Sequence, residues 1–526
     1  MGERGACCGR QDQPAHGGSR RDFLTTSAMS LGTGALAAGL GGAARAQEAG
    51  GTRPGNGGRR ILLRGGVVLT MDPELGDLDQ ADVLIEGARI AAVGPDIQAD
   101  ADVIDAAGMI VMPGFIDTHH HQYETIQRSI LADGILRGDW PEETYFSVVQ
   151  ALWTQGTNGL FDLGRSPYDP EDNYISELVA SLSQIAAGVT TGIDTSQSSH
   201  TPEHTDAMIA GLRDAGRRTL YAYSAGRDDT PGYEYPGRIG DSSVGLGRLR
   251  AQYFSSDDQP VTLALGGTVS ADNLLLARDV DVPLISHAVA DFGTAAIDAV
   301  HAAGLMGPDQ EYIHCTQFSD ETFAKIADSG GHVSIATPIE MVMRHGMPPI
   351  QQALAHGILP SLSTDVETTM AADMFTVMRT TFALQRALLN ERYIAGDGEL
   401  PQVVSCSQVL QMATIAGARA AHVEHKVGSL TPGKEADIIM LDANRINTMP
   451  LNNAPGSVVT LMDTSNVRNV FIAGKLRKWN HEMVGVDVDL LRRRIEASRD
   501  AVLGHIRTAF PAYAPSRTQS CCLPYA

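Results

Sequence analysis

The chain lacks most of the residues that announce a specialised class. Only six of its 526 residues are cysteines, and no Cys-x-x-Cys pair occurs, which argues against a structural zinc ribbon. Cys7, Cys8, Cys521 and Cys522 are adjacent pairs at the chain ends, so no disulfide framework is read from them. Cys315 follows His314 directly, and strand alternation turns it to the other face, as a packed core thiol. Aromatics make up 5%, so the core must rest on Ala, Val, Ile and Leu. Basic residues are outnumbered, 40 Lys and Arg against 62 Asp and Glu, for a net charge of −22. An acid excess repels phosphate backbones and anionic lipid heads, so neither nucleic acid nor a membrane surface is an expected partner. The same excess also serves plain solubility. No Gly-x-Gly-x-x-Gly opens the first strand–helix unit, so nothing asks for a dinucleotide fold.

What is present begins with an address. Ser19-Arg20-Arg21-Asp22-Phe23-Leu24 resembles a twin-arginine export signal. A weakly apolar stretch runs from Leu24 to Gly42, too short and Gly-rich for a stable membrane span. Ala44-Arg45-Ala46 then supplies small residues at signal-peptidase spacing. Residues 1–46 are therefore expected to be a signal peptide and 47–58 a flexible linker, with a disordered basic tail as the alternative. The resemblance implies export to the periplasm or medium, with the twin-arginine machinery as a partner.

Length alone implies more than one structural unit. Residues 59–111 read as short strands and turns, including an apolar run, turn and return over Asp82–Ile90. Ala436–Leu441 and Val470–Lys475 read the same way. Between these ends, apolar runs at 112–121, 189–196, 218–225, 261–267, 283–289, 311–317, 332–338 and 360–366 alternate with helical patterns. Such alternation implies parallel strands with crossover helices. Eight units over roughly 300 residues suit an α/β fold of the (β/α)8 TIM-barrel type, with an open doubly wound sheet as the alternative. An aromatic insertion at 133–174, holding Trp140 and Trp153, follows the first strand. It reads as a lid over the mouth or as surface packing. Residues 481–526 are expected to form a C-terminal helix and tail.

The most informative stretch is Pro113-Gly114-Phe115-Ile116-Asp117-Thr118-His119-His120-His121. Strand alternation lets His119 and His121 face inward and turns His120 outward. Two inward imidazoles at the C-terminal end of a barrel strand are placed to grip one metal ion.

This stretch resembles the first-strand signature of the amidohydrolase superfamily, nearest its cytosine deaminase and triazine hydrolase subgroup. Met412–Ala420 and Gly428–Asp437 resemble the helix before the small β-domain and the return into it. The resemblance implies a barrel over 112–420 and a β-sandwich domain built from 59–111 and 421–480. It further implies a His at the end of strand five, met by His287, one at strand six, met by His314, and an Asp at strand eight, met by Asp365. Two-metal members bridge their ions with a modified Lys or a carboxylate on strand four. Only five lysines occur here, none before Lys325, and Val261–Gly267 offers neither Lys nor acid. One divalent ion held by His119, His121, His287 and Asp365 is therefore expected, zinc first, with iron or manganese as alternatives. Asp365 and His314 are assigned to catalysis.

The ring-deaminating subgroup carries a Glu three residues after the strand-five His, where this chain has Ala290. Glu340 and Glu367 are the candidates to replace it, and His200 and Trp140 are candidates to line the pocket. The expected activity is hydrolysis of a non-peptide C–N bond in a small cyclic or aromatic molecule. Aromatic deamination or dehalogenation is one alternative, and a non-hydrolytic metal-binding barrel, possible also as a homo-oligomer, is another.

Overall fold

A computed structural model describes residues 60–136, 144–146, 149, 166–225 and 236–509. The signal, the linker, Trp140, Trp153 and the terminal tail lie outside the described residues, as does most of the aromatic insertion.

Strands β1 (Ile61–Val68), β2 (Leu78–Glu86), β3 (Arg89–Gly94), β4 (Asp102–Asp105) and β5 (Met109–Pro113) come from the N-terminal part. The C-terminal part adds β14 (Ile438–Asp442), β15 (Val467–Ile472), β16 (Lys475–Trp479) and β17 (Glu482–Met483). These hydrogen-bond into one nine-stranded sheet, ordered β17-β16-β15-β14-β5-β1-β2-β3 with β4 also on β1, rather than into two separate sheets. Strand β5 joins the chain ends, lying parallel to β1 and antiparallel to β14. The β1–β2 register breaks around Gly66. There β1 changes its other neighbour, pairing with β4 through residues 61–64 and with β5 through 67–68. Ile61, Leu63, Val83 and Ile85 pack with Ile438, Met440 and Phe471 in one buried cluster.

The apolar run expected at 112–121 serves two sheets. Pro113 ends β5 and Phe115 opens the first barrel strand. Gly114 makes the join because a Cβ there would lie 2.2 Å from the Thr190 side chain.

The barrel strands are β6 (Phe115–His120), β7 (Val189–Ser199), β8 (Arg218–Ala225), β9 (Val261–Gly267), β10 (Leu284–Ala288), β11 (Gln310–His314), β12 (His332–Ile335) and β13 (Ser361–Leu362). Each pairs in parallel with the next. Closure comes just past β13. His121 N donates to Asp365 O at 2.8 Å, and Asp365 N to His119 O at 2.8 Å. Three residues of the proposed site, His119, His121 and Asp365, thus also seal the barrel.

The interior is small and aliphatic: Ile193, Leu220, Ala222, Ala264, Ile285 and Ile313 pack together with Ala421. Crossover helices cover the outside, among them Pro170–Ala186, Pro202–Ala215, Ala290–Ala302 and Met374–Ile394. Their starts follow the sequence. Pro170 and Pro202 stand at the first helical position, and the Asp373 side chain caps Thr376 N. Thr201 occupies an N-cap position but spends its hydroxyl on Glu203 and His204. Behind β6 and β7, fully buried Arg217 donates to Gln122 and Gln184. Its charge opposes the burial that lifts the neighbouring Asp194 carboxyl to about 7. The C-terminal helix Val488–Ala509 lays Leu491 and Ile495 on the buried cluster of Ile175, Leu178 and Ala215. Among the described residues, no helix is long and apolar enough to cross a membrane.

Candidate metal centre

The His cluster needs an irregular strand to form. Ile116 faces inward against Ala418, while Phe115 faces outward against the Phe375 ring at 5.1 Å. Thr118 is inward again, 2.7 Å from Ser334 Oγ and 2.8 Å from Ser361 Oγ. Strict alternation would then turn His119 outward. Between Asp117 and His120, however, β6 advances three residues while β7 advances two, from Gly192 to Asp194. That extra residue is a bulge, which re-aims the side chains after it. His119 turns in, with Nδ1 2.8 Å from Thr195 Oγ1. His120 turns out, with Nε2 3.8 Å from Glu367 Oε2. The inward pair read from simple alternation is present, for a different reason.

His314 is re-aimed by backbone conformation. Ile313 belongs to the interior cluster, so the next residue should face out. Instead His314, Cys315 and Gln317 take φ of +73°, +52° and +63°. These are left-handed values that cost non-glycine residues energy and gather at functional sites. The His314 ring centre ends 5.5 Å from that of His119 and 5.7 Å from that of His287. Asp365 has φ of +62° as well.

The donors converge. Asp365 Oδ1 lies 3.0 Å from His119 Nε2 and 3.5 Å from His121 Nε2, and Asp365 Oδ2 lies 3.8 Å from His314 Nε2. His121 Nε2 and His287 Nε2 are 3.3 Å apart. Two sets of donors, His119–His121–Asp365 and His119–His287–His314, each fall within 4.8 Å and share His119. Sharing a member makes them one centre.

The residues fit a divalent ion. His119 Nε2 is buried and makes no hydrogen bond despite the carboxylate oxygen 3.0 Å away. A lone pair and a carboxylate aimed at one point call for a cation between them. Burial, with neighbouring imidazoles, holds His119 and His121 well below the usual histidine range, and burial with His314 lowers His287 to about 4. Neutral imidazole is the form that binds a metal. His314 is the exception. Burial pushes it down, but the hydrogen bond it donates to Glu340 and the Asp365 charge outweigh that and hold it above its ordinary value.

Glu340 stands behind His314. It is fully buried in the short helix Thr337–Val342, and its Oε1 is 3.1 Å from His314 Nδ1 and accepts from Ala336 N at 3.0 Å. Glu367 does not face the cluster. Although it stands only two residues from Asp365, it pairs with Arg128 at 2.8 Å and accepts from Thr125 Oγ1 at 2.8 Å, so it is not the replacement for the missing Glu. His200 is also apart, its neighbours being His204 and Ser198. Trp140 lies outside the described residues.

Sequence reasoning missed Thr195, Tyr123, Glu124 and Tyr145. Tyr123 OH is 3.4 Å from His121 Nδ1, and Tyr145 OH donates to Glu124 at 2.6 Å. The signal was the polar Gln122-Tyr123-Glu124 immediately after the His cluster, where strand alternation no longer applies.

A model of the amidohydrolase family matches residues 268–477. The 5'-deoxyadenosine deaminase of Methanosarcina mazei is 26% identical over 85% of this chain and 99% of its own length. The 5-methylthioadenosine/S-adenosylhomocysteine deaminase of Syntrophobacter fumaroxidans is 26% identical over 83% of this chain and 96% of its own. A zinc-bound adenosine deaminase from Xanthomonas campestris superposes with a TM-score of 0.68 at 21% identity, covering 84% of this chain and 98% of that one. The atrazine chlorohydrolase of Arthrobacter aurescens gives 0.68 at 22%, covering 84% and 100%. A TIM barrel with a β-domain from both chain ends and a His/Asp centre at its mouth defines a class of metal-dependent hydrolases. With these matches, the chain is similar to the amidohydrolase family, whose model it matches over residues 268–477.

Proposed function

We propose that the protein hydrolyses a C–N bond in a small cyclic or aromatic substrate, releasing ammonia or an amine. The observation that carries this is the unbonded His119 Nε2 facing Asp365, with His314 on the other carboxylate oxygen. His119, His121, His287 and Asp365 would hold the ion, and zinc suits three nitrogens and one oxygen. A divalent ion there supplies Lewis acidity and a water that ionises near neutral pH. Asp365 takes the proton from the attacking water and passes it to the leaving nitrogen. His314 donates a hydrogen bond to the polarised carbonyl or imine. Glu340, accepting from His314 Nδ1–H, favours the doubly protonated ring, which keeps a proton on Nε2 to donate.

Ring deamination is the specific reading the relatives favour, because both quoted proteins of 26% identity are named as deaminases. Replacing an exocyclic amine is itself C–N hydrolysis, and Glu340 supplies a buried acid where Ala290 cannot. Ammonia release is therefore expected from at least one adenosine derivative or aminopyrimidine in a screen of metal-loaded protein, and a ring-opened amino acid from a cyclic amide if that is the substrate instead. A screen without product from any C–N substrate, with dechlorination of a chlorotriazine instead, would overturn the reading.

Export by the twin-arginine route goes with this proposal, since the residues 19–24 carry its pattern. The secreted form is expected to begin near Gln47, by mass spectrometry of periplasmic protein. An intact N-terminus in a soluble pool with none exported would sink it.

A further inference from the structure

A hydrogen-bonded chain leads from the centre into a buried corner that this chemistry does not use. His121 turns Nε2 toward His287 and Asp365, which leaves Nδ1 facing Tyr123 OH at 3.4 Å. Tyr123 OH is 3.2 Å from Glu124 Oε1 and 3.1 Å from Gln197 Oε1. Tyr145 OH donates to the same Glu124 oxygen at 2.6 Å. Tyr123 and Glu124 are wholly buried. Their placement is short-range, because the 3-10 turn Gln122–Gln127 begins directly after His121. Tyr145 is held by its own backbone, Tyr145 N donating to Ile135 O at 2.8 Å.

We infer that Glu124 is a positioning residue for the metal centre, acting through the Tyr123 hydroxyl on the tautomer of His121. The inference rests on the reading of His121 as a ligand. A phenol has one proton to give. Between Glu124 Oε1 and Gln197 Oε1, both within reach, a carboxylate binds it more strongly than an amide oxygen. With that proton committed to Glu124, the phenol oxygen offers only a lone pair to His121 Nδ1. Nδ1 must then carry the N–H, and Nε2 is left bare, which is the form that ligates. Without the carboxylate charge the phenol proton is free to turn toward Nδ1. That stabilises the opposite tautomer, with the proton on Nε2, and the ion must displace it. Glu124 touches neither substrate nor ion in this scheme.

The test is affinity for zinc alone, measured on full-length protein by competition with a chromophoric chelator. Glu124→Gln and Tyr123→Phe are each expected to weaken zinc binding about 10–100-fold, the usual range for partners of a ligand. Because the two act in series, the double variant should be no weaker than either single one. Ring-nitrogen NMR of the metal-free protein should show His121 protonated at Nδ1 in the wild type and mixed in Glu124→Gln. Tyr123→Phe removes only a hydroxyl, so it guards against misfolding of the charge variant. Losses that multiply in the double variant, or either single variant within threefold of wild type, would overturn the inference. His121→Ala separates the two layers. If it loses zinc while Glu124→Gln does not, the positioning role alone is wrong. If it binds zinc like wild type, the ligand reading has failed and takes this inference with it.

Discussion

Asp365→Asn should retain its ion and lose turnover by roughly 10²–10⁴, the usual worth of general acid–base help. The two carboxylate oxygens have different neighbours. Oδ1 faces the ring nitrogens of His119 and His121 at 3.0 and 3.5 Å, and Oδ2 faces His314 Nε2 at 3.8 Å. Asparagine keeps the shape and one oxygen for the ligand side. Its amide cannot accept a proton from the attacking water or deliver one to the leaving nitrogen. The backbone of Asp365 also closes the barrel against His119 and His121, and those bonds survive the change of side chain. The measurement is kcat normalised to bound metal, with melting temperature as the check on closure. A variant with full occupancy and turnover within tenfold of wild type would show that the proton passes elsewhere. His314 would then be the first place to look.

Most of the scaffold was legible in the sequence because each barrel strand is a short apolar run with a helical pattern after it. Strands β7 to β10 fall within a few residues of those runs. β13 is legible only in part, since two residues form the strand and closure passes to the Asp365 backbone. The site was legible as a set of residue types, but its geometry was not. Alternation counted from Ile116 would send His119 outward, and counted from Ile313 would send His314 outward. A bulge in β6 and a left-handed turn after β11 reverse both outcomes. Neither leaves a mark in residue type, since no glycine stands at either place. Carboxylate roles were hidden for a related reason. Glu367 has the spacing to share a face with Asp365, but Arg128 and Thr125 claim it from the segment after the His cluster. Glu340 reaches the centre only because helix Thr337–Val342 folds back under His314.

The ligand set itself turns on His287 and His314, which share one of the two donor groups with His119. His287→Ala is expected to strip the ion, since it removes one of only four assigned ligands and leaves His121 Nε2 without the ring nitrogen 3.3 Å away. His314→Ala is expected to keep the ion and lose roughly 10²–10⁴ in rate. The electrostatics separate the two residues. Burial drives His287 down to about 4, so it is an unprotonated donor at neutral pH. Burial acts on His314 as well, but Glu340 and Asp365 hold it above its ordinary value, which suits a group that keeps and donates a proton. Environments that push neighbouring groups apart in this way mark acid–base partners from ligands. Glu340→Gln should therefore lower the rate without lowering the metal content, because it weakens the hold on the His314 proton and touches no ligand. Elemental analysis of stringently desalted protein gives the first readout, with about one ion per wild-type chain expected from one full ligand set. Steady-state rates on the same samples give the second. Should His314→Ala strip the ion while His287→Ala keeps both ion and rate, His314 is a ligand, and the donor to the substrate must be sought among the residues of the mouth, beginning with His345, whose ring centre lies 4.2 Å from that of His314.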